Sequence, residues 1–399
     1  MNEREHGRLN GNRYRENDKE PVDVGFQWTL GLVCGCQRKF VARASYMIFV
    51  LFFRSKLVGV VVVLLMVISC AEHQELKTNN DPTKYNLAKD LLWASPDGFD
   101  LTMDIYTPLS GKSSYPVVVM FHGGGWLIND KSIMDQAAAY IATNSNYVVC
   151  NVNYRLLSDN DNTITLNEIV DDAFGAVLWV KSNIAEYKGD SARVVVTGDS
   201  AGAHLSAMII NRGDQLSSEM FSPSSPRFTP SYLPESKSAE QVAAENGLAV
   251  QAAVLSYGAY DLSETGISDF ESMKNPFWWV SGSIARGLFG DDFNVVEHPL
   301  MYGAVSPLQN IPQATERQFP PQLLTAGSED PAVSPESVQA YVSMLRLAGH
   351  TAVYWEYKGK SHAFLDSGSN LLLGSSFEAD APMALNVMIE FLDEIFYPL

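Results

Sequence analysis

Gly198-Asp199-Ser200-Ala201-Gly202 reads G-x-S-x-G. It follows the apolar run Val194-Val195-Val196-Thr197 and precedes a helical pattern, Ala203-His204-Leu205-Ser206-Ala207-Met208-Ile209-Ile210. A serine between glycines at a strand–turn–helix junction is the pattern of an activated nucleophile. The turn is too tight for larger neighbours, and it holds the hydroxyl exposed in strained geometry. The backbone there is also a helix N-terminus, which favours negative charge developing nearby. The plainer alternative is a glycine-rich turn, since a bare pentapeptide arises often by chance. A second motif, His122-Gly123-Gly124-Gly125-Trp126, directly follows the apolar run that ends at Phe121. Three consecutive glycines cost conformational entropy and pack poorly. They make sense where backbone N–H groups must approach a ligand, as in an oxyanion hole, where each donor is worth about 3–4 kcal/mol in kcat. The alternative there is a flexible loop.

The elements that would position these motifs alternate along the chain from residue 91. Phe99 to Tyr106 alternates apolar and polar residues, as an exposed antiparallel strand does. Tyr115 to Phe121, Tyr147 to Asn151 and Ala192 to Thr197 are short apolar runs, as in strands buried on both faces. Val250 to Ser256, Gln322 to Ala326 and Ala352 to Tyr357 supply later strands. Helical patterns lie around 131–144, 167–186, 335–349 and 382–396. Strands and helices in this order predict an α/β class with a mostly parallel, doubly wound sheet. Two stretches break the alternation. Residues 213–246 are rich in Ser and Pro, and 262–311 carry aromatic residues, including Pro276-Phe277-Trp278-Trp279, without strand spacing. Residues 262–311 read either as a surface excursion with its own small cluster or as a cap that walls a pocket.

The two motifs, their order and their separation resemble the α/β-hydrolase esterases, in particular the hormone-sensitive-lipase-like branch, over roughly residues 91–399. The resemblance implies the α/β-hydrolase fold with a cap-like insertion, and a serine carboxylic-ester hydrolase that needs no metal or organic cofactor. It implies that Gly124, Gly125 and Ala201 donate the oxyanion-hole N–H groups, and that His122 shapes the loop rather than acting as base. In that fold the base follows Ser200 and the acid lies between them. Ser361-His362-Ala363-Phe364 stands after the last strand pattern, so His362 is the expected base. Gly327-Ser328-Glu329-Asp330-Pro331 looks like the family's G-x-x-D loop, so Asp330 is the expected acid. Glu329 and Asp366 are expected to be solvated charges. His204 lies inside the nucleophile helix, and His298 and His350 have no comparable setting. One departure matters. That branch builds its helical cap from residues before the first strand, and here only about 20 residues separate Cys70 from the first strand pattern. A cap would have to come from 262–311, with or without 213–246, so the branch's substrate preferences carry over weakly.

The 399 residues carry 28 Lys+Arg against 46 Asp+Glu, a net charge of −18, and 46% are apolar. That excludes wholesale disorder, and the acidic balance argues against nucleic acid as a partner. Residues 1–69 hold 10 Lys/Arg and 6 Asp/Glu, which leaves 18 basic and 40 acidic residues, a net −22, for the rest. The basic part contains Leu57 to Ser69, thirteen apolar or small residues preceded by Arg54 and Lys56. That is short of the roughly 20 a membrane span needs, and it has the form of a secretory signal. Met47 is a natural start for it, so 47–69 are expected to be a signal peptide and 1–46 a disordered or untranslated leader. The ending Val67-Ile68-Ser69-Cys70 resembles the lipobox of bacterial lipoproteins. Cys70 is then the expected lipidation site, with 70–90 a polar tether and 91–399 the catalytic domain. The implied address is a bacterial membrane, facing periplasm or exterior; an ordinary cleaved signal and an uncleaved anchor are the alternatives. Cys34, Cys36 and Cys150 form no zinc or disulfide pattern.

Two rivals stand beside the ester-hydrolase reading. One is a serine peptidase of the same fold, which normally carries a large exclusion domain. The other is a binding module on an inactive hydrolase scaffold, which usually loses the serine or the histidine. The expected partner is a small-molecule or polysaccharide-linked ester; the sequence names neither its acyl nor its alcohol group.

Overall fold

A computed structural model describes residues 84–398 except 264–268 and 372. The chain divides into two units, Met1–Thr78 and Asn79–Leu399, and all described residues lie in the second. The expected leader, the signal peptide, Cys70 and the tether as far as residue 83 fall outside the described residues.

The strands of the main sheet are β1 (Tyr85–Ala94), β2 (Leu101–Pro108), β3 (Tyr115–Phe121), β4 (Val148–Val152), β5 (Gly189–Asp199), β6 (Ala252–Ser256), β7 (Gln322–Gly327) and β8 (Ala352–Tyr357). They lie in the order β1-β2-β4-β3-β5-β6-β7-β8. β1 and β2 are antiparallel to each other, β2 is antiparallel to β4, and the rest of the sheet is parallel. This is the doubly wound α/β arrangement. Every residue of β3, β4, β6 and β7 is buried, because helices cover both faces of a parallel sheet.

The helices in chain order are α1 (Asp135–Asn144), α2 (Leu166–Asn183), α3 (Ala201–Arg212), α4 (Ala239–Ala244), α5 (Pro276–Ser281), α6 (Pro299–Ala304), α7 (Pro335–Leu347) and α8 (Phe377–Phe396). Strand alternation sends Val117, Val119 and Phe121 to one face, with Phe174 and Val177 of α2 and Leu205 and Met208 of α3. Val118 and Met120 point to the other, with Ala138 and Ile141 of α1 and Leu385 and Met388 of α8. Each such Val, Leu, Ile, Phe or Met side chain, fully buried, contributes about 1.5–3 kcal/mol before conformational entropy is counted.

Three expectations are corrected. The stretch 85–90, expected as part of a tether, is the first half of β1. Register shifts between Ala88 and Leu91 and between Leu92 and Ala94 break its two-residue period, so no clean alternation marks it. At the first shift Asp90 takes a φ of 53° and its N–H donates to Asp104 Oδ1 at 2.7 Å. β2, expected as an exposed strand, is nearly all buried. Its polar Asp104 is tolerated there because buried Lys131 pairs with it at 2.8 Å. The last helix starts at Phe377 rather than about 382, since Ser376 caps it by accepting the Ala379 N–H and Pro382 falls within it.

Candidate active site

β5 delivers the nucleophile motif between β3 and β6, at the carboxyl end of the parallel strands. Ser200 sits there at φ 50° and ψ −116°, a strained conformation for a side-chain-bearing residue. The Ser200 N–H donates to Ser256 O at 2.9 Å, so β6 pins the turn. The motif's glycines follow from contact. A Cβ on Gly202 would overlap Phe121 O, and one on Gly198 would fall on Gly202 itself. α3 can therefore start against the end of β3 only if both positions are bare.

The loop after β3 places the glycine run beside this turn. Gly124 and Gly125 have φ values of 118° and 60°, open to glycine and rarely to other residues. Gly124 O accepts the Leu127 and Ile128 N–H groups, each at 3.1 Å, which folds the loop back on itself. The N–H of Ala201 lies in the first turn of α3, where no intrahelical acceptor exists. His122 is buried; it stacks on Tyr154 at 4.3 Å and its Nδ1 donates to Gly123 O at 2.8 Å. Burial pulls its pKa down to about 4, so the ring is neutral and braces the loop. Trp126 Nε1 donates to His204 Nδ1 at 3.2 Å, and His204 Nε2 donates to Val305 O at 2.8 Å. That chain links the glycine loop, α3 and the segment after β6. Burial also pulls the His204 pKa down to about 4.

The structure brings Ser200, His362 and Asp330 together. His362 Nε2 lies 3.0 Å from Ser200 Oγ, and His362 Nδ1 lies 2.7 Å from Asp330 Oδ2. Asp330 Oδ1 accepts the N–H groups of Ala332 and Val333 at 2.8 and 2.9 Å. An ionised carboxylate only accepts, so Nδ1 carries the ring proton and Nε2 is left to accept from the serine hydroxyl. The sheet order explains the meeting. Asp330 follows β7 and His362 follows β8, on one side of β5, while the glycine loop follows β3 on the other. Glu329, next to Asp330, is exposed, as expected of a solvated charge. Among the described residues no group of three or more His, Cys, Asp or Glu side chains is arranged to hold a metal ion.

The sequence reading missed three residues of this site and misjudged a fourth. Tyr257, directly after β6, lays its ring edge-on to His362 at 4.7 Å, and its hydroxyl oxygen accepts the Leu365 N–H. Its position at the carboxyl end of a parallel strand is the signal that could have found it. Asp199 is buried beneath the glycine loop, its carboxylate held by the Gly123 N–H, and burial pushes its pKa up to about 6. It lies inside the nucleophile motif itself. Phe277 of α5 packs its ring over Gly125; the sequence placed it only within an aromatic run whose stretch read either as a surface excursion or as a cap that walls a pocket. Asp366, expected as a solvated charge, is instead partly buried. Burial first, then the Asp199 charge, push its carboxyl well above the usual range.

Residues 103–345 match the BD-FAE family model. The chain belongs to the BD-FAE family. Esterase LipQ of Mycobacterium tuberculosis is 28% identical over 272 residues, which is 67% of this chain and 55% of LipQ. The chain thus spans about half the length of this curated relative. Among solved structures, the native Est2 esterase of Thermogutta terrifontis superposes with a TM-score of 0.55 at 22% identity, covering 78% of this chain and 93% of that one. A truncated carbohydrate esterase from gut microbiota does so with a TM-score of 0.57 at 20% identity, covering 79% and 98%. These structures share the fold of this chain, an α/β-hydrolase fold.

Proposed function

We propose that this protein is a serine carboxylic-ester hydrolase acting through an acyl-enzyme on short-chain or carbohydrate-linked esters. One observation carries the reading: Ser200 Oγ, His362 and Asp330 form a continuous hydrogen-bonded line of 3.0 and 2.7 Å, beside a glycine loop whose Gly124 and Gly125 take positive φ. Ser200 attacks the acyl carbon while His362 Nε2 takes its proton. The tetrahedral oxyanion meets the N–H groups of Gly124, Gly125 and Ala201. His362 then delivers the proton to the leaving alcohol, and Asp330 stabilises the imidazolium and holds its tautomer. Water repeats the cycle on the acyl-enzyme and frees the acid and Ser200.

The family match and the esterase relatives support the ester as substrate. A panel of acyl and alcohol esters with matched amides tests it, on purified residues 71–399. Hydrolysis of esters but not amides is expected. Faster cleavage of amides would make it a peptidase. Failure to cleave any ester, or to label Ser200 with a phosphonate, would leave a binding module. The address belongs to the same proposal. Export as a bacterial lipoprotein acylated at Cys70 is supported by the Arg54/Lys56-flanked apolar run and by Val67-Ile68-Ser69-Cys70.

A further inference from the structure

We infer that Phe277 is a specificity-determining residue: its ring walls the acyl side of the site and selects esters whose acyl group carries an apolar chain longer than acetyl. The inference rests on the ester-hydrolase reading.

A Cβ built on Gly125 would lie 3.1, 3.4 and 3.6 Å from Cδ2, Cε2 and Cγ of Phe277. The ring therefore covers the backbone of one of the three oxyanion donors. The ring is only half-buried, so part of its apolar surface is not covered by the protein. Nothing on α5 lets it drift. The Asn275 side chain accepts the Phe277 N–H at 3.1 Å, and Pro276 presets the first helical φ. Asn275 Nδ2 and Trp278 Nε1 both donate to Phe270 O, at 3.1 and 2.9 Å. Trp278 is fully buried, and the Phe270 ring meets Trp126 of the glycine loop edge-on at 5.6 Å. The wall is thus fixed to the loop it covers.

The topology decides which part of the ester it touches. His362 must protonate the leaving oxygen, so the alcohol points to the β7–β8 side of Ser200. The glycine loop and Phe277 stand on the β3 side. With the oxyanion in the hole and the alcohol toward His362, the acyl carbon chain is the substituent left to meet the ring. Each methylene buried against it is worth roughly fourfold in kcat/KM.

The test compares kcat/KM for p-nitrophenyl acetate and butanoate, two methylenes apart, in wild type, Phe277→Ala, Phe277→Leu and Phe277→Asn. Leucine and asparagine have similar size, so they separate apolar contact from bulk, and they keep the test alive if the alanine variant fails to fold. Wild type should favour butanoate by about fifteenfold. Phe277→Leu should keep most of that ratio, and Phe277→Ala and Phe277→Asn should bring it close to one, through a larger loss on butanoate than on acetate. An unchanged ratio in Phe277→Asn, or an equal loss on both esters, would overturn the inference and leave the hydrolase standing. So would a change confined to a series of acetates with different alcohols. A wild type that cleaves no ester would overturn both.

Discussion

Replacing Asp330 by asparagine should lower kcat about 10⁴-fold and leave the fold intact. The carboxylate is held from two sides. Oδ1 accepts the Ala332 and Val333 N–H groups, and Oδ2 accepts His362 Nδ1–H. An asparagine amide has one accepting end and one donating end. With its NH₂ turned to the loop it would face two N–H donors and leave them unpaired, at about 1–3 kcal/mol each. With its oxygen turned to the loop it keeps both bonds and presents NH₂ to Nδ1, and that orientation wins. Nδ1 must then accept, the ring proton moves to Nε2, and Nε2 can no longer take the Ser200 proton. An error of tautomer of this kind costs about 10⁴ in kcat in a Ser-His-Asp hydrolase, or about 5 kcal/mol of barrier. The side chain keeps its volume and its loop bonds, so thermal unfolding should shift little. The assay is kcat on a chromogenic acetate for wild type and variant, with melting curves of both. A loss smaller than a hundredfold, or a larger loss in Asp366→Asn, would refute the reasoning.

Gly202→Ala sets helix propensity against sterics. Alanine would gain about 1 kcal/mol in a helix, but its Cβ overlaps Phe121 O and lies 2.8 Å from His122 O. The variant should melt lower, and because the glycine loop must shift by about 1 Å its kcat should fall on the order of 100-fold. A stabilised, fully active variant would contradict this. Asp199→Asn removes a carboxyl whose folded pKa stands at about 6, raised chiefly by burial and lowered in turn by His362 and the Gly123 N–H. A raised acid contributes stability below its unfolded pKa of about 4 and loses it as pH rises through about 6. The variant should therefore gain on wild type by on the order of 2 kcal/mol between pH 4 and pH 7, measured by denaturant titration; a pH-independent difference would count against it. Cys70→Ser should release the protein from membranes with esterase activity unchanged, since acyl chains anchor at about 0.8 kcal/mol per buried CH₂. An unmodified peptide running through Leu65 to Glu75 in the mature protein would refute cleavage there.

The central strands were legible because burial on both faces leaves a continuous apolar run, as in Val117 to Phe121. The exits of parallel strands β5, β7 and the edge strand β8 carry Ser200, Asp330 and His362, where turn chemistry shows in the residue types. β1 was hidden because its bulges erase the two-residue period, and the burial of β2 was hidden because a buried Lys131–Asp104 pair imitates solvent exposure. The segment after β6 gave no periodicity because its helices, Pro276–Ser281 and Pro299–Ala304, are under two turns long. Its contacts with the site, Phe277 on Gly125 and Val305 on His204, join residues far apart in the chain. Asp366 was misjudged for a related reason. Four residues after His362 it looks like a loop charge, and only the folded site sets it beside Asp199.

The proposed reaction turns on Ser200 as nucleophile, and the decisive comparison is steady-state hydrolysis of p-nitrophenyl acetate by wild type and Ser200→Ala. The side chain loses one oxygen in a turn that its backbone already holds, so the variant should fold as wild type does. Its kcat should fall by on the order of 10⁶, the loss that follows removal of a triad nucleophile. A variant that retains activity within tenfold of wild type would rule out Ser200 as the nucleophile.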